Sequence, residues 1–198
     1  MPSAAILVIG NEILSGRTRD SNIQYLATEL GKLGVQVREC RVIPDVEATV
    51  VATINEVRAK FDYVFTTGGI GPTHDDITAD CVAKAFGVDL PEHPEALARL
   101  LGNYTSPTEL NAARRRMARI PVGGVLIDNP ISRVPGFRIG NVHVMAGVPS
   151  IMQAMVDEIA PTLKTGIKML SDTVRADCRE GDIGTELGAI AKAHADVI

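Results

Sequence analysis

The chain has 198 residues, of which 45% are hydrophobic and 22% charged, with a net charge of −4 and three cysteines. That length and apolar share support one ordinary core plus a small addition and exclude a disordered polymer. The acidic balance speaks against nucleic acid as a partner. Cys40, Cys81 and Cys178 are odd in number and far apart, which excludes a disulfide framework. No apolar run reaches the length of a membrane span, and the start, Met1-Pro2-Ser3-Ala4, lacks the basic region of a secretion signal. The expectation is a cytoplasmic protein with no membrane partner.

Ala4 to Ile9 is a short apolar run that stops at Gly10, the pattern of a strand buried on both faces. Asp20 or Ser21 then caps a helix with Ile23, Leu26, Ala27, Leu30 and Leu33 on one face, and Gly34 stops it. Val35 to Ile43 reads as a second strand. Asp45 is placed to cap a helix bearing Val50, Val51, Ile54 and Val57. Phe61 to Thr66 reads as a third strand, followed by a glycine-rich turn and a helix that buries Ala79, Val82, Ala83 and Phe86. This β-α-β-α-β-α order predicts a three-layer α/β/α domain with a mostly parallel sheet.

The middle is more helical, with helices expected over 94–101 and 109–119. Strands are expected over 122–127 and 141–145, and a helix from Ser150 to about Leu163. The boundary of the main domain is set at residues 1–166. Residues 167–198 are expected to begin a small, incomplete α+β appendage: a strand pattern, a helix starting at Gly181-Asp182 and ending near His194, and a strand beginning at Asp196-Val197-Ile198.

The most informative segment is Thr66-Thr67-Gly68-Gly69-Ile70-Gly71-Pro72-Thr73-His74-Asp75-Asp76-Ile77-Thr78. It joins a buried strand to a helix. Gly68, Gly69 and Gly71 allow backbone to approach a ligand, and the helix start offers N–H groups and the positive end of its dipole to phosphate. Asp75 and Asp76 sit at the same helix start and would repel a bare phosphate. A divalent cation between them resolves the conflict, and magnesium favours one or two carboxylates plus substrate phosphates. The structural alternative is that these aspartates are ordinary caps. GxxxxGK[ST] is absent, and the dinucleotide fingerprint breaks at its third glycine.

Two further loops follow strand ends: Gly10 to Asn22, and Met145-Ala146-Gly147-Val148-Pro149-Ser150. In an open parallel sheet such loops gather at one crevice. Gly10, Gly147 and Pro149 are therefore candidate ligand neighbours. Ser15, Asn22, Ser150 and Thr73 are candidate hydrogen-bonding groups, and Glu12 or Asp20 could support a metal. Each also reads singly as a turn or cap residue.

These residues resemble those of a known family. Thr66 to Thr78 resembles the TTGGxGPTxDDxT motif of the competence/damage-inducible protein A family, which has the molybdopterin-binding (MoaB/Mog-like) fold. Gly10-Asn11-Glu12-Ile13-Leu14-Ser15-Gly16 with Asp20-Ser21-Asn22 resembles its first motif. Asn129-Pro130 with Pro135-Gly136-Phe137 resembles its NPxGxAPGF segment, and Gly147-Val148-Pro149 its GVPxEM turn. The molybdopterin-binding domain of FAD synthases is similar too. The resemblance implies a homo-oligomer that binds a pterin or nucleotide phosphate as its small-molecule partner. It also implies, for some members, pyrophosphatase activity on ADP-ribose-like or FAD-like diphosphates with magnesium, cobalt or manganese. Asp76 matches the acidic position of the fold's glycine loop, which makes it the first candidate for catalysis and metal binding, with Asp75 beside it. Two departures stand out: Ser132-Arg133-Val134 replaces Gly-x-Ala, and Ser150-Ile151-Met152 lacks an acidic residue before Met. The deamidase domain of longer members is expected to be absent.

The remaining polar residues read as structure. His74 reads as a local hydrogen-bond partner; His93, His143 and His194 lack metal-ligand spacing. Arg114-Arg115-Arg116 fans around a helix as solvated surface, Met145, Met152 and Met155 fill the core, and Cys81 lies on an apolar face. Two function classes stand at this point: a metal-dependent pyrophosphatase and a non-catalytic module that binds the same kind of ligand.

Overall fold

The computed structural model describes residues 1–168 and 170–195. The first half follows the expected order. β1 (Ser3–Ile9) leads through a short helix α1 (Asn11–Leu14) to α2 (Asn22–Lys32), then β2 (Gln36–Ile43), α3 (Glu47–Lys60), β3 (Tyr63–Thr67) and α4 (Thr78–Phe86). Next come α5 (Pro94–Leu101) and α6 (Ala112–Arg115), then β4 (Val125–Ile127), β5 (Gly136–Ile139), β6 (Val142–Met145), α7 (Pro149–Ile159) and α8 (Glu180–Ala193).

The six strands form one sheet in the order β2-β1-β3-β6-β5-β4. β2, β1, β3 and β6 are parallel, and β5 runs antiparallel to both of its neighbours. β1 is buried on both faces: Ala5, Leu7 and Ile9 pack with α3 and α4, while Ala4, Ile6 and Val8 pack with α2 and α7. That two-sided burial is why β1 reads as a continuous apolar run rather than an alternating one. Met145, Met152 and Met155 are fully buried in the second of these layers, and Cys81 in the first, where burial pushes its thiol up to about 12.

Several local expectations change. Asp45 does not cap α3; that helix starts after Val46 with no side-chain cap, and the Asp45 carboxylate instead accepts the Asn11 N–H at 2.8 Å. The acceptor thereby ties the β2–α3 loop to the end of β1. The helix expected over 109–119 breaks into a 3-10 turn at Pro107–Glu109, the four-residue α6, and a second 3-10 turn at Arg116–Ala118. Arg114 to Arg116 are not simply solvated: Arg114 lies over the Tyr104 ring, Arg115 pairs with Glu92, and Arg116 reaches the main chain of Asp76. β5 had no separate expectation, and its burial is nearly continuous. Gly166 N–H donates to the Leu33 carbonyl at 2.9 Å, fastening the end of the main body to the turn after α2. Beyond it, α8 buries none of its residues, and the described residues from 168 on contain no strand. The strand expected at 196–198 lies outside the described residues.

Candidate functional site

Chain crossing creates the site. The connection after β1 leads to β2 on one side of it, and the connection after β2 returns to β3 on the other. Loops that leave the carboxyl ends of β1 and β3 therefore diverge and leave a crevice. The loop after β6 forms the third wall. A cleft of about 570 Å³ opens there, lined by Glu12 and Thr18 from the first loop and by Gly68, Gly69, Ile70, Gly71 and Asp76 from the second. Gly147, Val148 and Pro149 come from the third loop, with Met117, Ser132, Val134 and Ile151 as further walls.

The glycine loop is folded tightly against its surroundings. Gly68 and Gly69 have φ of 98° and 68°, in the left-handed region that favours glycine. A Cβ on Gly68 would lie 2.3 Å from the Ile9 carbonyl oxygen, and one on Gly69 would lie 2.2 Å from the Thr78 hydroxyl. The Gly68 N–H donates to Met145 O at 3.2 Å, the Thr78 N–H to Gly69 O at 3.0 Å, and the Thr78 hydroxyl to Gly68 O at 2.9 Å. The loop thus caps α4 itself, so neither the first helical N–H nor that of Gly68 is open to a phosphate. The N–H groups of Gly69, Ile70 and Gly71 donate none of the described hydrogen bonds and are the ones left for a ligand.

Asp76 closes the rest of the loop. Its Oδ2 accepts the Thr73 N–H at 2.8 Å and the Thr73 hydroxyl, while Arg116 donates to its main-chain carbonyl at 3.1 Å. The proximity of that hydroxyl, with Asp75's own N–H, also holds the Asp75 carboxyl below the usual carboxylate range. The hydrogen bond that this hydroxyl donates goes to Asp76. Oδ1 of Asp76 takes no described hydrogen bond. Asp75 is exposed and does not line the cleft, so the neighbouring aspartates separate: one faces the site and one faces solvent.

The other sequence candidates fall into two groups. Glu12 lines the cleft and folds back over Gly10, whose Cβ position is 2.4 Å from Glu12 Oε1. Asn22 is buried beneath the site and donates to Gly147 O at 2.8 Å, and Gly147 packs against Gly68. Ser15 lies outside the cleft, exposed, donating to Glu12 O and accepting from Arg17. Asp20 accepts the Ile23 N–H at 2.9 Å, the capping role, and His74 does not line the cleft.

The apolar wall is formed by Ile70, Met117, Val134, Val148 and Ile151; all but Met117 lie in segments compared with the family motifs, but none was itself a candidate site residue. The Asn129 segment, one of the motifs that carry the resemblance, forms the adjoining turn. Asn129 is 1% exposed, and its side chain gathers Ile131, Ser132 and Val134, while Arg133 takes φ 57°. That turn presents Ser132 and Val134 to the cleft. Behind the loop, Arg119 holds Asp80 with two hydrogen bonds of 2.9 and 2.7 Å. Among the described residues the cleft lining holds two carboxylates and no lysine or arginine.

A parallel-centred sheet with a glycine-rich loop and a cleft at its switch point defines a doubly wound α/β domain. Residues 5–165 match the family described as "Probable molybdopterin binding domain", and the chain belongs to that family. It is 39% identical over 167 residues to a CinA-like protein of Citrifermentans bemidjiense, covering 82% of this chain and 40% of that protein. It is 33% identical over 217 residues to a protein of Caenorhabditis elegans named Probable FAD synthase, covering 98% and 42%. Among solved structures, the protein CinA of Thermoplasma acidophilum aligns with TM-score 0.77 and 33% identity over 81% of this chain and 97% of that one. MoaB of Thermus thermophilus aligns with TM-score 0.56 at 18% identity, over 82% and 92%, a likeness of fold. The chain spans 40–42% of the length of these two curated relatives.

Proposed function

We propose that the cleft binds a phosphate-bearing pterin or nucleotide and that the chain hydrolyses a diphosphate of the ADP-ribose or FAD kind with a divalent metal. One observation carries the reading: a roomy cleft of glycine backbone and apolar wall whose charged lining is Glu12 and Asp76 alone, among the described residues. An anion held there by the Gly69 to Gly71 N–H groups meets two carboxylates in the cleft lining, while Arg116 and Arg119 line a small adjoining cavity and are engaged with Asp76 and Asp80, so a divalent cation is the natural counter-charge. The donor set fits magnesium, which takes one or two carboxylates and completes its shell with water and substrate phosphate. Asp76 Oδ1 and Glu12 would hold it, and cobalt or manganese would suit the same oxygen atoms. Such an ion supplies charge neutralisation at phosphorus and a more acidic bound water.

The chain's own residues do the rest. The loop N–H groups position a phosphate. Ile70, Met117, Val134, Val148 and Ile151 give a flat ring an apolar surface and exclude water around it. Thr73 fixes the Asp76 carboxylate by two hydrogen bonds, leaving its second oxygen directed by a rigid loop rather than a free rotor.

A second reading, a non-catalytic module for a molybdopterin-like ligand, is favoured by a specific observation. Oδ2 of Asp76 is already committed to Thr73, and among the described residues no three His, Cys, Asp or Glu are grouped to share a metal. Incubation with ADP-ribose and with FAD, each with magnesium, manganese and cobalt, separates the two. Mononucleotide release supports hydrolysis. Tight binding without release supports the module, and neither outcome with any diphosphate or pterin phosphate rejects the cleft as the site. Homo-oligomer assembly belongs to the same proposal, resting on the family resemblance, and a monomer at micromolar concentration in sedimentation equilibrium would overturn it.

A further inference from the structure

A second cleft, of about 520 Å³, lies at the other end of the sheet, where β3 and β6 begin and β5 turns into β6. Its lining includes His143, Arg138, Lys164, Tyr63 and Leu163. His143 is 1% exposed, stacks on Phe65 with ring centroids 4.9 Å apart, and keeps a buried Nδ1 with no hydrogen-bond partner. The main chain of Asn141 and Val64 lies beside the imidazole, but neither makes one of the described hydrogen bonds to Nδ1. A buried ring nitrogen without a partner costs about 1–3 kcal/mol, and such groups in a native fold call for an unseen partner.

The surroundings indicate what that partner is. Among the described residues, neither Arg138 nor Lys164 is in an ion pair, although most other arginines and lysines of the main body have carboxylate or carbonyl partners. The one carboxylate in the lining, Asp62, is committed to the N–H and hydroxyl of Ser3, both at 2.7 Å. The Tyr63 hydroxyl accepts the Lys164 N–H at 2.8 Å, and its ring forms an apolar wall beside Leu163. The cleft therefore offers two unpaired cations and an aromatic face above a buried imidazole, with no free negative charge.

We propose that this cleft is a second binding site, separate from the glycine-loop cleft, for a small organic anion: its acidic group between Arg138 and Lys164, its flat body against Tyr63, and a polar atom within reach of the His143 imidazole. Guanidinium and ammonium groups favour carboxylate and phosphate equally by charge, so the shared chemistry is a small acid with a ring. Nothing in the proposal depends on the reaction assigned to the other cleft.

Phenyl phosphate and benzoate are the probes, titrated into the whole protein while the imidazole resonances are followed by long-range ¹H–¹⁵N NMR, with His143→Gln used to assign the His143 signals. Saturable shifts of the His143 signals with either probe are expected, and comparing the two distinguishes a phosphate from a carboxylate head. Arg138→Ala and Lys164→Ala are exposed changes and should keep the fold; each should weaken the titration by about tenfold, the equivalent of one lost charge contact. Absence of a saturable His143 response to both probes up to about 50 mM, a range that would detect even the weakest specific sites, overturns the proposal. So does a response that is unchanged in the doubly substituted protein.

Discussion

The Asn22 side-chain amide donates 2.8 Å to the carbonyl of Gly147, joining the first residue of α2 to the loop before α7 across 125 positions. Two of the three loops that wall the site are therefore held together by one buried hydrogen bond. Asn22→Ala leaves the Gly147 carbonyl without its partner, at an expected cost of about 1–3 kcal/mol. Urea unfolding gives the stability, and ligand titration should show weakened binding, because Gly147 rests directly on Gly68. Unchanged stability and affinity would mean that the bond is replaced by water.

The three loop glycines should not respond alike. Gly68→Ala drives a Cβ to 2.3 Å from main-chain oxygen of Ile9 at a positive φ, and neither can yield; a loss of about 3 kcal/mol or more is expected. Gly69→Ala meets the Thr78 hydroxyl, a side chain that can turn, and should cost less. Gly71 lies outside the left-handed region, and its Cβ would press on Asp76 Oδ2 at 2.6 Å. Gly71→Ala should displace that carboxylate from Thr73, cost about 1 kcal/mol and reduce turnover. Equal destabilisation by all three would contradict the loop geometry.

Asp76→Asn tests the metal reading directly. An asparagine oxygen can still accept from Thr73, so the fold should lose about 1 kcal/mol or less, the scale of one helix-dipole contact. A neutral amide is a poor ligand for a hard cation, so hydrolysis should fall on the order of a hundredfold while binding falls less. Product formation against magnesium concentration, with melting temperature as control, measures both. Equal rates at equal metal would leave Asp76 as a loop-closing residue alone. Glu12→Gln, an exposed change that closes no loop, should reduce turnover with no loss of stability.

His143 makes the fold sensitive to acid. Burial, with the Arg138 charge adding, lowers its imidazole from 6.5 to about 4. Between those values the unfolded chain binds a proton that the folded chain refuses, so stability is fully present above pH 6.5 and declines as pH falls toward 4. The whole decline is about 3 kcal/mol, from one proton and the size of the shift. Urea unfolding as a function of pH should show this slope, and His143→Phe should flatten it. A wild-type curve that is level from pH 7 to 5 would contradict the burial.

The sequence determined whatever neighbouring residues decide among themselves. The apolar run 4–9, the helical spacing before Gly34, and the glycines at 68, 69 and 71 each report a local requirement, and the structure meets them: a strand buried on both faces, a helix stop at φ 72°, and a backbone turn. The motif at Asn129 belongs with these, since one side chain organises the five residues after it. The motif put Asp76 ahead of Asp75, and the tertiary structure decided that Asp75 leaves the cleft altogether, because rotation about a few main-chain bonds of the loop separates the two. It also decided that Asp45 serves β1 rather than its own helix, that Arg116 reaches beneath the glycine loop, and that Ile70, Met117, Val134, Val148 and Ile151 share one wall. Those relationships join segments tens of residues apart, and what brings them together is the strand order β2-β1-β3-β6-β5-β4, an arrangement fixed by burying both faces of β1 and β3 and written in no single stretch of the chain.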